Sequence, residues 1–295
     1  MPSLPLVPLV SPVAYQGGKQ RLAGAILDAM GVRGAREGTV FYDLCCGSGA
    51  VTVELLNRGW AADAIVMVDI GPWGSFWSAL GTGTFDLGRF EALVRLMPDR
   101  VGDIQAWLVE RAAQPVREDE VPYLFPILQA GAFGSKAVWT EGGRWRTPGF
   151  RSYWLPTATS SRRSPVNPMM PMPETLLDRV AALVPRTRGL RALRASVETT
   201  PWDRVRGGLV YLDPPYAGTT AYGGGFDVAT FARSCPFPAW VSEGRALTPG
   251  AVGLAMGRRK GGISGDRVEA HNEWLSPFVP AGSSPSSPTT GSSSP

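Results

Sequence analysis

Most of the side chains able to do chemistry fall in two short stretches. Asp213-Pro-Pro-Tyr216 follows the apolar run Leu209-Val-Tyr-Leu212. Pro214 and Pro215 fix backbone dihedrals and withhold N–H groups, so the Asp213 carboxylate and the Pro214 carbonyl can point together into a cleft. Two acceptors aimed at one point suit an amine with two hydrogens, and Tyr216 adds a flat face on which a planar base can stack. A rigid loop with a capping aspartate is the bland alternative. The second stretch, Asp43-Leu-Cys-Cys-Gly-Ser-Gly49, reads as a glycine turn between a strand and a helix. Gly47 and Gly49 there allow a ligand to approach the backbone, and the helix N-terminus offers N–H donors; a dinucleotide-binding loop or a plain tight turn fits the same residues. About 20 residues on, a strand ends at Asp69, where a carboxylate can accept both hydroxyls of a ribose. Together these features indicate an adenosine-containing cofactor without saying which.

The elements that must position these residues follow from hydrophobic pattern. Short apolar runs at Val40–Leu44 and Ala64–Ile70 flank a helical stretch at Gly49–Arg58, a β-α-β signature. Further runs at Gly208–Leu212 and Ala239–Ser242 add strands. Strands alternating with helices predict an α/β fold, a Rossmann-like, mainly parallel sheet covered on both faces. Between Phe85 and Pro156 the pattern changes to two helices, Leu87–Met97 and Val101–Ala113, and then a glycine- and tryptophan-rich stretch that alternates like a hairpin. The expected organisation is therefore a discontinuous catalytic domain over 1–84 and 174–280, an inserted region over 85–173 that includes an exposed loop at Thr157–Pro173, and a disordered tail over 281–295.

Composition narrows the possibilities. His271 is the one histidine, so a Ser-His-Asp triad or a multi-histidine metal site lacks raw material, and no metal is expected. Cys45, Cys46 and Cys235 lack metal-type spacing, and an adjacent pair does not readily form a structural disulfide. Cys45 and Cys46 read as small buried residues rather than nucleophiles. No apolar run approaches the ~20 residues that cross a bilayer, and the proline-broken start lacks the basic beginning of a signal peptide, so a cytoplasmic location is expected. The formal net charge of +4 is compatible with a polyanionic partner and equally with an ordinary mildly basic protein. Within the insert, Lys136, Arg144, Arg146 and Arg151 are interleaved with Trp139, Trp145, Phe150 and Trp154. This sets phosphate-seeking charges beside rings that can stack or wedge between bases, around a turn at Glu141-Gly142-Gly143. A solvated hairpin with inward-facing aromatics fits the same residues.

Asp213-Pro-Pro-Tyr216, the upstream glycine loop and Tyr15-Gln-Gly-Gly-Lys19 together resemble the Dam-like class of N6-adenine DNA methyltransferases, and the motif order is the same. The resemblance implies an S-adenosylmethionine-dependent methyltransferase sheet with an inserted DNA-recognition domain, acting on double-stranded DNA. It implies that Tyr15, Gly17, Gly18 and Lys19 help bind S-adenosylmethionine and that the loop from Asp43 through Cys45 and Gly47 to Gly49 holds its methionine part. Asp69 would then take its ribose, and Asp213, Pro214, Pro215 and Tyr216 the target adenine. Gly131-Ala-Phe-Gly-Ser-Lys136 and Gly143-Arg-Trp-Arg-Thr-Pro-Gly-Phe-Arg151 resemble the family's DNA-contacting hairpin, and Arg258-Arg259-Lys260 with His271-Asn-Glu-Trp-Leu275 its closing strand pair. The chain departs from the pattern at Cys45, where the family usually has phenylalanine, at Gly71-Pro72, where it often has asparagine, and at Ala195-Ser-Val-Glu198, which offers no clear acidic counterpart. Cytosine N4 or an RNA adenine would satisfy the same pocket. A DNA-binding relative without turnover fits the altered loop, whereas an NAD-linked oxidoreductase leaves Asp213–Tyr216 without a task.

Overall fold

The computed structural model describes residues 7–13, 17–98, 100–151, 171–215, 226–261 and 267–280, with the backbone alone over 101–102, 255–261 and 267–272. Tyr15, Trp154, Tyr216, most of the expected 157–173 loop and the 281–295 tail lie outside the described residues.

A seven-stranded sheet forms the centre. In chain order its strands are β1 (Thr39–Leu44), β2 (Ile65–Asp69), β5 (Arg191–Arg194), β6 (Gly207–Leu212), β7 (Ala239–Glu243), β8 (Val252–Gly261) and β9 (Arg267–Phe278). They lie side by side as β5-β2-β1-β6-β7-β9-β8. The first five are parallel, and β9 runs antiparallel to both neighbours. Pairing fans outward from β1 and β6, so the strand order reverses between them.

The central strands are apolar because both faces are covered, and the period-2 alternation divides their side chains between two layers. Val40, Tyr42 and Leu44 of β1 face one layer with Val66, Val68, Val210, Leu212 and Val241. Phe41, Ile65, Met67 and Tyr211 face the other, under α1 (Ala23–Ala29) and α2 (Ala50–Asn57). The next helix, α3 (Pro72–Thr82), starts with proline in its first turn, where the missing N–H costs nothing. Gly74 and Gly81 let it lie directly on β5: a Cβ on Gly74 would stand 2.5 Å from Arg194 Cα, and one on Gly81 2.1 Å from the Leu190 carbonyl oxygen.

The 85–151 region contributes α4 (Leu87–Arg95), α5 (Val101–Ala113), α6 (Val121–Gly131) and a hairpin of β3 (Trp139–Glu141) and β4 (Arg144–Arg146). All of α6 is buried. Phe125 meets Trp73 of α3 edge-on at 4.8 Å, and Tyr123 meets Phe85 at 5.0 Å. These rings belong to the same apolar cluster as Phe41 and Met67 of the sheet. The expected insert therefore shares one core with the sheet. Its far boundary is shared as well, because α7 (Pro173–Thr187) packs on α4 and α3. The hairpin turns at Gly142 and Gly143, with φ of 56° and 70°, the left-handed pair that a tight two-residue turn demands.

Candidate functional site at the carboxyl ends of β1 and β6

In open α/β sheets the crevice outside the strand carboxyl ends opens where the order reverses. Here that point lies between Leu44 and Leu212. The Asp213 N–H donates to the Leu44 carbonyl at 3.2 Å, extending the β1–β6 pairing by one residue and fastening the start of the Asp213 loop to the start of the glycine loop.

The glycine loop is left-handed at alternate residues: φ is 58° at Cys45, 49° at Gly47 and 69° at Gly49. Glycine takes that conformation freely, whereas Cys45 pays about 1–2 kcal/mol for it. Backbone bonds hold the path, with Cys46 N–H donating to Val68 O at 3.2 Å and Gly49 N–H to Cys46 O at 2.9 Å. Trp77 of α3 forms the floor. Its Nε1–H donates to Gly47 O at 3.0 Å, and its ring lies where a Gly49 Cβ would stand, 2.3 Å from Cζ2. Nothing in the local pattern of α3 singles out Trp77 for this role, because its sequence neighbour in space is thirty residues away. Ser48 is buried, and its hydroxyl has no partner.

The three aspartates at these strand ends are differently employed. Asp43 is buried and accepts from both the backbone N–H and the hydroxyl of Thr52, at 3.2 and 2.7 Å, so it anchors the first turn of α2. Burial pushes its carboxyl up to about 7 against the Thr52 hydrogen bonds. Asp69 braces the loop: Oδ2 accepts from Gly47 N–H at 2.9 Å and Oδ1 from Gly71 N–H at 2.7 Å. Its carboxyl is raised by burial, with those two bonds opposing. Beside it Ile70 is 64% exposed, an apolar side chain left open at the crevice. Burial also raises the Cys45 and Cys46 thiols well above their ordinary value, which leaves them neutral and poor nucleophiles.

Asp213 is placed in a buried charge cluster. Its Oδ1 receives Lys19 Nζ at 2.7 Å, and the same ammonium lies 3.5 Å from Glu273 Oε1 and 3.0 Å from the Gly17 carbonyl. The structure thus sets Lys19, expected at the cofactor, against Asp213. Gly17 carries φ of 84°, the turn that brings Lys19 inward. Glu243, at the end of β7, is buried, and its Oε1 accepts from the Gly244 N–H at 2.9 Å. Burial raises the Asp213 carboxyl, Lys19 lowers it, and Glu273 and Glu243 raise it again, leaving it at about 6. Pro214 is buried and Pro215 exposed. Sequence reading missed Glu243 and Glu273, since acidic residues in strands carry no motif and only pairing of β7 with β9 brings them together.

The basic residues of the hairpin region gather at one side. Lys136, Arg144 and Arg146 are exposed. Arg146 is paired with Glu141 at 2.8 Å, and the half-buried Arg151 donates to the Ala132 carbonyl at 3.3 Å. Of the interleaved rings, Trp145 and Phe150 turn inward, Trp145 stacking parallel to Phe125, so they offer no face to a base. Phe133 is the exposed ring, at 63%. Buried Gln129 of α6 clamps the approach to β3, donating to Lys136 O and accepting from Val138 N–H, both at 3.0 Å. Arg194, at the carboxyl end of β5, bonds the Thr140 hydroxyl and pairs with Glu118 at 2.8 Å, which ties the hairpin to the crevice end of the sheet.

Among the described residues, no group of three or more His, Cys, Asp or Glu is arranged to hold a metal ion, and no helix is long and apolar enough to cross a membrane. No protein-family model matches this chain, and no curated protein matches it.

Proposed function

We propose that the chain is an S-adenosylmethionine-dependent methyltransferase that modifies the N6 amine of adenine in DNA. The observation that carries this reading is the convergence of two loops at the reversal of strand order: a left-handed glycine turn after β1 and a half-buried, ion-paired Asp213 directly after β6, joined by the Asp213–Leu44 hydrogen bond.

The residues present fit an adenosyl cofactor. The unpartnered Ser48 hydroxyl lies in the glycine turn, each Asp69 oxygen keeps a lone pair beyond its backbone bond, and Ile70 offers an apolar surface to a purine beside it. A dinucleotide fits less well, because the second half of the sheet ends in an antiparallel pair rather than a second mononucleotide-binding repeat.

S-adenosylmethionine, when bound, supplies an electrophilic methyl group. The chain's task is to present the nucleophile. Above about pH 6 Asp213 is ionised and acceptor-only, and with the Pro214 carbonyl it takes the two N–H bonds of the target amine. Those bonds draw the nitrogen lone pair out of conjugation with the ring as the transition state forms. Lys19 fixes the Asp213 carboxylate, and the amine proton leaves late, to Asp213 or to water. Lys136, Arg144, Arg146 and Arg151 supply phosphate contacts that hold the duplex in register.

The test is to incubate the protein with methyl-labelled S-adenosylmethionine and unmethylated duplex DNA and to identify the labelled nucleoside. Label in N6-methyldeoxyadenosine is expected. Label in N4-methylcytosine would overturn the base assignment, and an absence of cofactor binding by calorimetry would overturn the enzyme itself. Asp213→Ala is expected to lower transfer about a thousandfold, the scale seen when one preorganised polar contact is removed. Cofactor binding should persist in that variant, since Lys19 retains Gly17 O and Glu273.

A further inference from the structure

Two carboxylates, Asp213 and Glu273, share the Lys19 ammonium, a third, Glu243, acts on Asp213 through its charge, and the proposed reaction uses only Asp213. Their exposure is graded. The side chain of Glu273 is 2% exposed, that of Lys19 4% and that of Asp213 17%, so the cluster opens toward the crevice through Asp213. Asp213 Oδ1 is occupied by Lys19, and among the described residues none donates a hydrogen bond to Oδ2. Glu273 reaches this place because β9 runs antiparallel between β7 and β8, opposite Leu254 and next to the Glu243–Trp274 pair.

We infer that Glu273 is a positioning residue for Asp213: it shares the Lys19 ammonium from the buried side, so that the cation braces Asp213 Oδ1 without being committed to it and the carboxylate stays available to the crevice. The inference rests on the reading of Asp213 as the acceptor of the target amine and extends that reading to the strand behind it. A shared ammonium pulls less strongly on Asp213 than one committed to it alone, and the Glu273 charge also repels the Asp213 carboxylate directly. Among the described residues, the titratable groups that act on Asp213 or feel its charge are Lys19 ahead of α1, Asp43 on β1, Cys45 in the glycine loop, Tyr211 on β6, Glu243 on β7 and Glu273 on β9. Lys19 is the cation among those described, and Asp43 is fixed on Thr52.

The experiment follows the Asp213 side-chain carboxyl carbon by NMR against pH in the full chain labelled at aspartate, with the signal assigned by Asp213→Asn. In Glu273→Gln, which preserves shape and removes charge, the Asp213 midpoint is expected to fall by about one pH unit. Glu273→Asp, which withdraws the carboxylate from Lys19, should move it the same way by less, and it serves as the reading if the glutamine variant does not fold. An unmoved or raised midpoint overturns the inference, because a merely structural Glu273 would change stability and not the Asp213 titration. The acid limb of kcat/KM for methyl transfer should shift with the midpoint. A shifted titration in a protein that transfers no methyl group would sustain Glu273's hold on Asp213 and sink the methyltransferase reading instead.

Discussion

Gly49 and Gly17 are both left-handed glycines flanking the crevice, yet they answer to different physics. At Gly49, φ of 69° combines with Trp77 Cζ2 only 2.3 Å from where a Cβ would stand, while at Gly17, φ of 84° meets nothing within 4 Å. Gly49→Ala must displace a fully buried tryptophan as well as adopt a disfavoured backbone, and about 3 kcal/mol of stability should be lost. Gly17→Ala should cost about 1 kcal/mol, the backbone contribution alone. Urea unfolding of the two variants measures the difference. Equal costs would mean that Trp77 yields without penalty and is not the floor of the loop.

The join between β1 and α2 runs through Asp43 and Thr52, and it carries a pH dependence of its own. Burial raises the Asp43 carboxyl from its ordinary 3.8 to about 7, so between about pH 4 and 7 the folded chain holds a proton that the unfolded chain has released. Stability from this group therefore falls as pH rises through that window. Asp213, raised to about 6, acts in the same direction. Asp203, held down to about 2 by the Val205 N–H and by Arg206, releases its opposite contribution only below about pH 4, outside the window. Tm should be higher at pH 5 than at pH 7.5. Asp43→Asn, whose carbonyl can still accept from Thr52, should flatten that difference without loss of fold. A slope as steep as in the parent chain would show that Asp43 titrates normally.

On the scale of the molecule, one core joins the helices α3, α4 and α6 to the sheet, so hairpin and crevice are held by the same packing. Arg194 adds a polar link between them through Thr140 and Glu118. This arrangement presents Lys136 and Arg144 outward without an anionic neighbour among the described ion pairs, while Arg146 already has Glu141. Each of the first two should release about one counterion on binding duplex DNA. Lys136→Ala with Arg144→Ala is expected to lower the salt slope of binding by about two. Arg146→Ala should change it less, since Glu141 must first be given up. Fluorescence anisotropy over a salt series reads both, and an unchanged slope in the double variant would remove the hairpin from the DNA interface.

Much of the parallel half of the fold was legible in the sequence, because β1, β2, β6 and β7 are largely buried on both faces and so read as apolar runs, three of which end in or beside Asp43, Asp69 and Asp213. The Gly142-Gly143 turn was legible for a local reason, since left-handed geometry at both positions needs glycine. By contrast, α6 is buried all round and has no amphipathic period to detect, and β5 (Arg191–Arg194) is a half-buried edge strand whose two arginines hide its role. The sequence by itself also determined the local geometry of the two stretches that meet at the crevice: the glycine turn and the Asp213-Pro-Pro stretch follow local backbone rules. Tertiary structure decided the partners. That Lys19 closes on Asp213 across 194 residues, that Trp77 floors the glycine loop, that Trp145 faces inward and that Glu273 stands behind the site all depend on strand order and helix packing. Those are properties of contacts between distant segments, and no local pattern encodes them.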